Sequence, residues 1–190
     1  MSFQRSVLAF AVLFSVLLSQ LPVRADTSWQ ILLQRGYEQL RLGQSQAALQ
    51  TLGNAVRANP SSLDARRYLA QALVNCGLSR KAAEQMELVV KSDPGHAADL
   101  CVLGTAYFYN GEAEQSIKNY LCALQADPAL EAASLGLVNA YLAQGQTEKA
   151  QQVCLRALRL ARDEASASRF LSRLADIKQR LAVAPPSIEG

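Results

Sequence analysis

Apolar residues recur along this chain with the period of an α-helix, in blocks of about a dozen residues. The clearest unit covers residues 97–130 and carries two apolar stripes at helical spacing. The first stripe consists of Leu100, Leu103, Gly104 and Tyr107. The second consists of Ile117, Tyr120, Ala123 and Leu124. Each stripe predicts an amphipathic helix, and the small residues Gly104 and Ala123 are expected to let the two helices of this hairpin approach closely.

Turn residues repeat at a constant spacing along the chain. Glycines that suit a helix C-terminus stand at Gly43, Gly77, Gly111 and Gly145. Prolines, which cannot continue a helix, stand at the same spacing at Pro60, Pro94 and Pro128. Several columns in one register predict four repeats at about 29–62, 63–96, 97–130 and 131–164. A single helical hairpin leaves one apolar side uncovered, so the repeats must stack.

The repeat resembles the tetratricopeptide repeat over about residues 29–162. The third repeat matches at Leu103, Gly104, Tyr107, Gly111, Ala123 and Pro128. The fourth matches at Leu137, Tyr141, Gly145, Ala150 and Ala157. Departures from the motif fall in the terminal repeats, at Arg35, Gln39, Cys154 and Arg162. The resemblance implies an all-α fold: an α-solenoid of about four helix–turn–helix repeats.

A further helix is predicted over residues 164–182. Phe170, Leu171, Leu174, Ile177 and Leu181 follow helical spacing there, and Asp163 is a suitable N-cap. We expect this helix to cap the last repeat and to complete a repeat domain over residues 26–182. Residues 183–190 contain two prolines and no periodicity, which predicts a disordered tail.

Residues 1–25 have the pattern of a secretory signal peptide. Arg5 precedes the apolar run Val7–Leu18, and Pro22 breaks that run. Cleavage is expected near Ala25–Asp26, giving an exported chain in the periplasm or outside the cell, with no stable membrane insertion. The alternative is an uncleaved N-terminal anchor, which the run disfavours because it is shorter than the roughly 20 residues that span a bilayer.

Composition favours a helical protein, and the absence of catalytic motifs favours a non-catalytic one. Half of the residues are hydrophobic, 6% are aromatic, and the net charge is +3. Cleavage would remove two of the 19 basic residues and none of the 16 acidic ones, so the mature chain would be close to neutral. A nearly neutral chain is a poor binder of nucleic acid. No phosphate-loop, dinucleotide-binding or zinc-protease motif is present, so we expect no enzyme, cofactor, metal or small-molecule substrate.

Neither the histidine nor the cysteines form a recognisable chemical motif. His96, the only histidine, falls in a turn and is interpreted as a solvated residue. The cysteines are too far apart in the chain for the spacings that are usual in zinc-binding sites; they are Cys76, Cys101, Cys122 and Cys154. The favoured interpretation is four thiols used as small core residues. A Cys122–Cys154 disulfide is the least implausible alternative, because both residues lie at similar heights in second helices.

In proteins that this chain resembles, a stripe of the first helix of each repeat lines a concave ligand groove. The corresponding positions mix aromatic, amide and arginine side chains, which suit an extended peptide or a partner's helix. The expected partner-binding residues are Tyr37, Arg41, Arg67, Gln71, Asn75, Thr105, Phe108, Tyr109 and Asn139. Arg67 and Tyr109 are the strongest candidates, since neither is required by the packing stripes. Alternatively, Tyr37, Phe108 and Leu142 only pack against neighbouring helices.

Two non-catalytic functions fit this pattern. The first is a protein-interaction scaffold or assembly factor of the cell envelope that binds a protein or peptide. The second is a structural protein that self-associates end to end. The charged residues of the final helix oppose such stacking: Arg169, Arg173, Asp176, Lys178 and Arg180.

Overall fold

A computed structural model describes residues 25–183, and this part of the chain forms nine α-helices and no strand. They are α1 (Ala25–Arg41), α2 (Ser45–Ala58), α3 (Leu63–Asn75), α4 (Ser79–Ser92), α5 (Ala97–Tyr109), α6 (Ala113–Ala126), α7 (Glu131–Ala143), α8 (Thr147–Arg159) and α9 (Glu164–Val183). The predicted all-α repeat fold is confirmed. Apart from Ala25 and Val183, the predicted signal peptide and tail lie outside the described residues.

The helices form two layers. Each helix packs against the next one in the chain, and α1, α3, α5 and α7 also pack on one another in sequence. The second helices α2, α4, α6 and α8 make no comparable contact among themselves within the described range. Because the first helices are closer together, the array curves with their layer on the inside. The first helices therefore provide the concave wall that the family resemblance implies.

Glycine ends every first helix in the same way. Gly43, Gly77, Gly111 and Gly145 have φ between 71° and 83°, a left-handed conformation that costs side-chain-bearing residues energy. After α5, the amide of Glu112 donates to the carbonyl of Tyr107 at 2.9 Å, which satisfies the end of the helix. The tight turn sends α6 back along α5, and the other three hairpins share this geometry.

One side chain from each second helix is wedged between the first helix of its own repeat and the next helix in the chain. These wedge residues are Leu52, Met86, Tyr120 and Cys154, which occupy the same position in successive repeats and are each at most 2% exposed. A Cβ added at Gly104 would lie 2.9 Å from the Tyr120 ring, and one at Gly136 would lie 2.3 Å from it. Both glycines therefore make room for one tyrosine. Gly104 thus lets the two helices of this hairpin approach closely, and the Tyr120 ring fills the space beside it.

The last repeat meets α9 through both apolar and polar contacts. Phe170, Leu174 and Ile177 of α9 are buried in one cluster with Cys154. Asp163 accepts a hydrogen bond from the amide of Ser166 at 2.7 Å and so caps α9. Glu131 of α7 accepts hydrogen bonds from Arg169 and Ser166. Arg169 holds the pKa of Glu131 below its usual range, so the stabilisation from this contact is lost as the pH falls through the lowered pKa.

Ala123 provides a test of the register, because it is fully buried whereas Glu114 on the same helix is exposed. Ala123→Glu places a carboxyl group and extra volume in a packed interior, and we expect a loss of about 3–5 kcal/mol in the free energy of unfolding. Glu114→Ala should change it by less than about 0.5 kcal/mol. Urea unfolding measures both variants, and equal midpoints would contradict the assigned faces.

Candidate peptide-binding groove

The inner groove is the concave surface of α1, α3, α5 and α7, and the predicted partner-binding residues all belong to these four helices. They differ in how much of each side chain a ligand can reach. Tyr37, Arg41, Gln71, Asn75 and Tyr109 are exposed. Arg67, Thr105, Phe108 and Asn139 are half-buried. Positions at the C-terminal ends of the first helices therefore form the most accessible part of the groove.

Aromatic side chains mark two places in the inner groove. Tyr109 is 66% exposed, and its ring centroid lies 5.4 Å from that of Phe108 in an edge-on arrangement. Tyr37 is 37% exposed, and its ring centroid lies 5.0 Å from that of Tyr68. Tyr37 thus packs against the next first helix, and Phe108 and Leu142 pack against buried clusters, as the alternative interpretation expects. Most of Tyr109 faces solvent. An exposed tyrosine on a helix offers a large contact area at a small entropic cost.

The polar residues of the groove fall into two groups. The Gln71 amide donates to the Asn75 side-chain oxygen at 3.0 Å, so the two amides form an accessible pair on α3. Asn139 has no side-chain hydrogen bond within the described part of the chain, which leaves its amide available. Thr105, by contrast, bonds the Cys101 carbonyl at 2.9 Å and the Tyr120 hydroxyl at 3.0 Å. Its side chain positions the wedge tyrosine.

Arg67 is held by carboxylates of its own chain. Its Nε donates to both carboxylate oxygens of Asp99 at 2.9 Å, and its terminal nitrogens lie 2.8 Å from Asp64 and 3.6 Å from Asp93. Asp99 is only 3% exposed. The hydrogen bond with Asp99 raises the pKa of Arg67 further above its usual value. The expectation that Arg67 is not needed for packing is therefore wrong, because it neutralises a buried acid of the next repeat.

His96 also belongs to this charged cluster. Its side chain is half exposed, as expected for a turn residue, but its Nδ1 lies 3.0 Å from an Asp99 oxygen. The pair of His96 and Asp99 belongs to no catalytic or metal motif, so motif spacing does not predict it. The sequence does carry a signal for the cluster: Asp99 lies on an apolar helix face, almost one repeat length after Arg67.

The cysteines do not form a reactive or metal-binding cluster in the described residues. All four are free thiols, so the Cys122–Cys154 disulfide is not formed. Cys101 and Cys154 are buried, and burial raises the pKa of Cys101 to about 11. Over residues 25–183, no group of three or more metal-ligating side chains comes together. Over the same range, no helix is both long and apolar enough to cross a membrane.

Removal of the Arg67 side chain should destabilise the fold. Arg67→Ala leaves Asp99 buried without its main partner, and we expect a loss of about 1–3 kcal/mol in unfolding free energy. The double variant Arg67→Ala/Asp99→Asn should recover part of that loss. Arg41→Ala is the matched control, because its ion pair with Glu38 is exposed, and it should cost about 0–0.5 kcal/mol. Identical urea midpoints for Arg67→Ala and Arg41→Ala would contradict this role.

Two family models match the chain, both described as tetratricopeptide repeat. One matches residues 33–97 and the other matches residues 107–174. No curated protein sequence matches the chain.

Solved structures are similar in fold. A thermophilic TPR protein of Thermus thermophilus is 23% identical, with a TM-score of 0.66 over 85% of this chain and 94% of its own. MamA (residue 41 to its end) of Desulfovibrio magneticus RS-1 is 18% identical, with a TM-score of 0.60 over 82% and 78%. The Thermobaculum terrenum O-GlcNAc transferase is 23% identical, with a TM-score of 0.66 over 73% of this chain and 27% of its own.

These structural similarities concern the fold alone. The two family models, however, together match well over half of the residues and agree with the observed helical hairpins. This chain belongs to the tetratricopeptide repeat family.

Proposed function

We propose that this protein is a non-catalytic scaffold or assembly factor of the cell envelope that binds an extended peptide or a partner's helix in its inner groove. The tetratricopeptide fold is generally a protein-interaction scaffold. The observation that carries the proposal is the accessible set of Tyr109, Asn75 and Gln71 on adjacent first helices. Aromatic side chains commonly supply much of the binding energy of an interface, and amides can satisfy the backbone of a bound segment.

The charges around Arg67 in the inner groove disfavour a partner segment that has several acidic residues at its centre. Arg67 is surrounded by Asp64, Asp93 and Asp99, so the cluster has more negative than positive groups. A ligand carboxylate there would face an arginine that is already neutralised. Tyr109 and the amide pair therefore replace Arg67 as the best candidates for partner contact. A polar, uncharged or basic segment suits this surface better than an acidic one.

End-to-end self-association is the alternative function. The exposed residues of α9 include Asp176, Lys178 and Arg180, which must lose water if another repeat stacks on that surface. This cost favours a scaffold that ends at α9 over an extending filament.

Export is the part of the proposal that rests on the N-terminal pattern of the sequence. We expect signal cleavage near Ala25–Asp26 and a mature chain in the periplasm or outside the cell. N-terminal sequencing of the protein recovered from its own cells should begin at or near Asp26. A chain that still begins at Met1 or Ser2 would favour the uncleaved anchor and would contradict export by cleavage.

Tyr109→Ala tests the inner groove. We expect the substitution to lower the affinity for the envelope partner by about 2 kcal/mol, because it removes an exposed aromatic contact. Its melting temperature should stay near that of the wild type, since most of the side chain faces solvent. Recovery of crosslinked partner from envelope extract measures the effect.

Lys81→Ala is the control for that experiment. Lys81 is exposed on α4, in the outer layer, and its side chain has no partner within the described residues. Partner recovery should be unchanged in this variant. Loss of the partner with Lys81→Ala, or full recovery with Tyr109→Ala, would move the binding surface away from the inner groove.

A further inference from the structure

A second groove lies in the outer layer, between α6 and α8 at the end of α7. We call it the outer groove; it encloses about 520 Å³, and its apolar part is formed by Ile117, Leu121, Cys122 and Tyr141. Leu121 is 46% exposed although it is a large aliphatic side chain. None of the predicted partner-binding residues lines this groove, so an occupant here would be a second ligand of the scaffold.

The repeat symmetry shows why this groove is open. One repeat earlier, the Tyr107 hydroxyl donates to Glu87 at 2.6 Å, and this bond joins α5 to α4 across the equivalent place. Tyr141 stands one repeat after Tyr107, and Leu121 stands one repeat after Glu87. The leucine cannot accept a hydrogen bond, and the Tyr141 hydroxyl has no partner within the described residues. The replacement leaves an apolar surface beside an available phenol.

The charge of the groove also changes between the two repeats. Glu84 of α4 is replaced by Lys118 at the equivalent position of α6, and Gln115 is replaced by Lys149 on α8. Neither lysine has an ion-pair partner in the described part of the chain, and the Lys149 ammonium lies 5.6 Å from the centroid of the Tyr141 ring. Glu114 is the only acidic residue among those that line the groove, so the lining carries a net positive charge.

We propose that the outer groove binds an acidic segment of a partner protein, in which an aliphatic or aromatic side chain is flanked by aspartate or glutamate. The apolar side chain would cover Leu121 and Ile117. The flanking carboxylates would meet Lys118 and Lys149 and would accept a hydrogen bond from Tyr141. This charge preference is opposite to that of the Arg67 cluster, so the two grooves select different segments. The scaffold can then hold two partners, one on each layer.

Selection from a random peptide library on the full chain tests this inference. We expect a class of recovered peptides with an apolar residue between acidic ones, and fluorescence polarisation measures its affinity. Leu121→Glu should weaken the binding of this class about tenfold or more. The new carboxylate would accept the hydrogen bond of the Tyr141 hydroxyl and would repel the carboxylates of the peptide. The same variant should stay folded in a thermal melt, since the chain already contains this pairing as Glu87 with Tyr107.

Charge-matched variants separate a specific site from general attraction. Lys118→Glu/Lys149→Glu should lower the affinity about tenfold, whereas Lys81→Glu/Lys178→Glu, with the same change in net charge, should have little effect. Tyr109→Ala should leave binding of these peptides unchanged. The inference is overturned if no acidic class is recovered, if Leu121→Glu and Lys118→Glu/Lys149→Glu leave binding intact, or if Tyr109→Ala abolishes it. A chain that elutes as a dimer until Leu121 is replaced would instead assign the groove to a second copy.

Discussion

The stacking of this protein depends on the fit between each wedge residue and two helices, the first helix of its own repeat and the next helix in the chain. Every wedge therefore joins its own repeat to the next element. Tyr120, the largest, lies against Gly104 and Gly136. Cys154, the smallest, shares its cluster with the larger Val138 and Phe170. The volumes compensate one another, as close packing requires, and each repeat has one orientation against its neighbour.

Polar contacts reinforce this arrangement between successive units. Arg67 of the second repeat pairs with Asp99 of the third, and Glu131 of the fourth pairs with Arg169 of α9. Both contacts lie toward the N-terminal ends of first helices, and Asp99 needs its cationic partner because it is buried. The accessible residues Asn75 and Tyr109 lie at the opposite ends of their helices. The side chains at the N-terminal ends of these helices are thus engaged in contacts between repeats, whereas those at the C-terminal ends are accessible.

The sequence predicts the fold well because the same pattern of apolar positions and turn glycines occurs in four repeats. The hairpin turns at the four glycines and the buried positions Leu103, Ala123 and Leu137 could all be read from spacing. Periodicity identifies which face of a helix is buried, but not which side chain fills the space opposite. The Tyr120–Gly136 contact and the Arg67–Asp99 pair each join two repeats, so neither follows from the pattern of a single hairpin. The outer groove likewise depends on Leu121 replacing Glu87, a difference between repeats.

A double-mutant cycle on Gly136 and Tyr120 tests the wedge arrangement most directly. Alanine favours a helix by about 1 kcal/mol relative to glycine, yet Gly136→Ala should cost about 1–3 kcal/mol because its methyl group meets the tyrosine ring. In a Tyr120→Leu background the same change should be neutral or stabilising, a coupling of about 1 kcal/mol or more in urea unfolding. Gly53→Ala, which meets no atom within 4 Å, should stabilise the chain in either background. Equal costs for Gly136→Ala with and without Tyr120 would contradict the account.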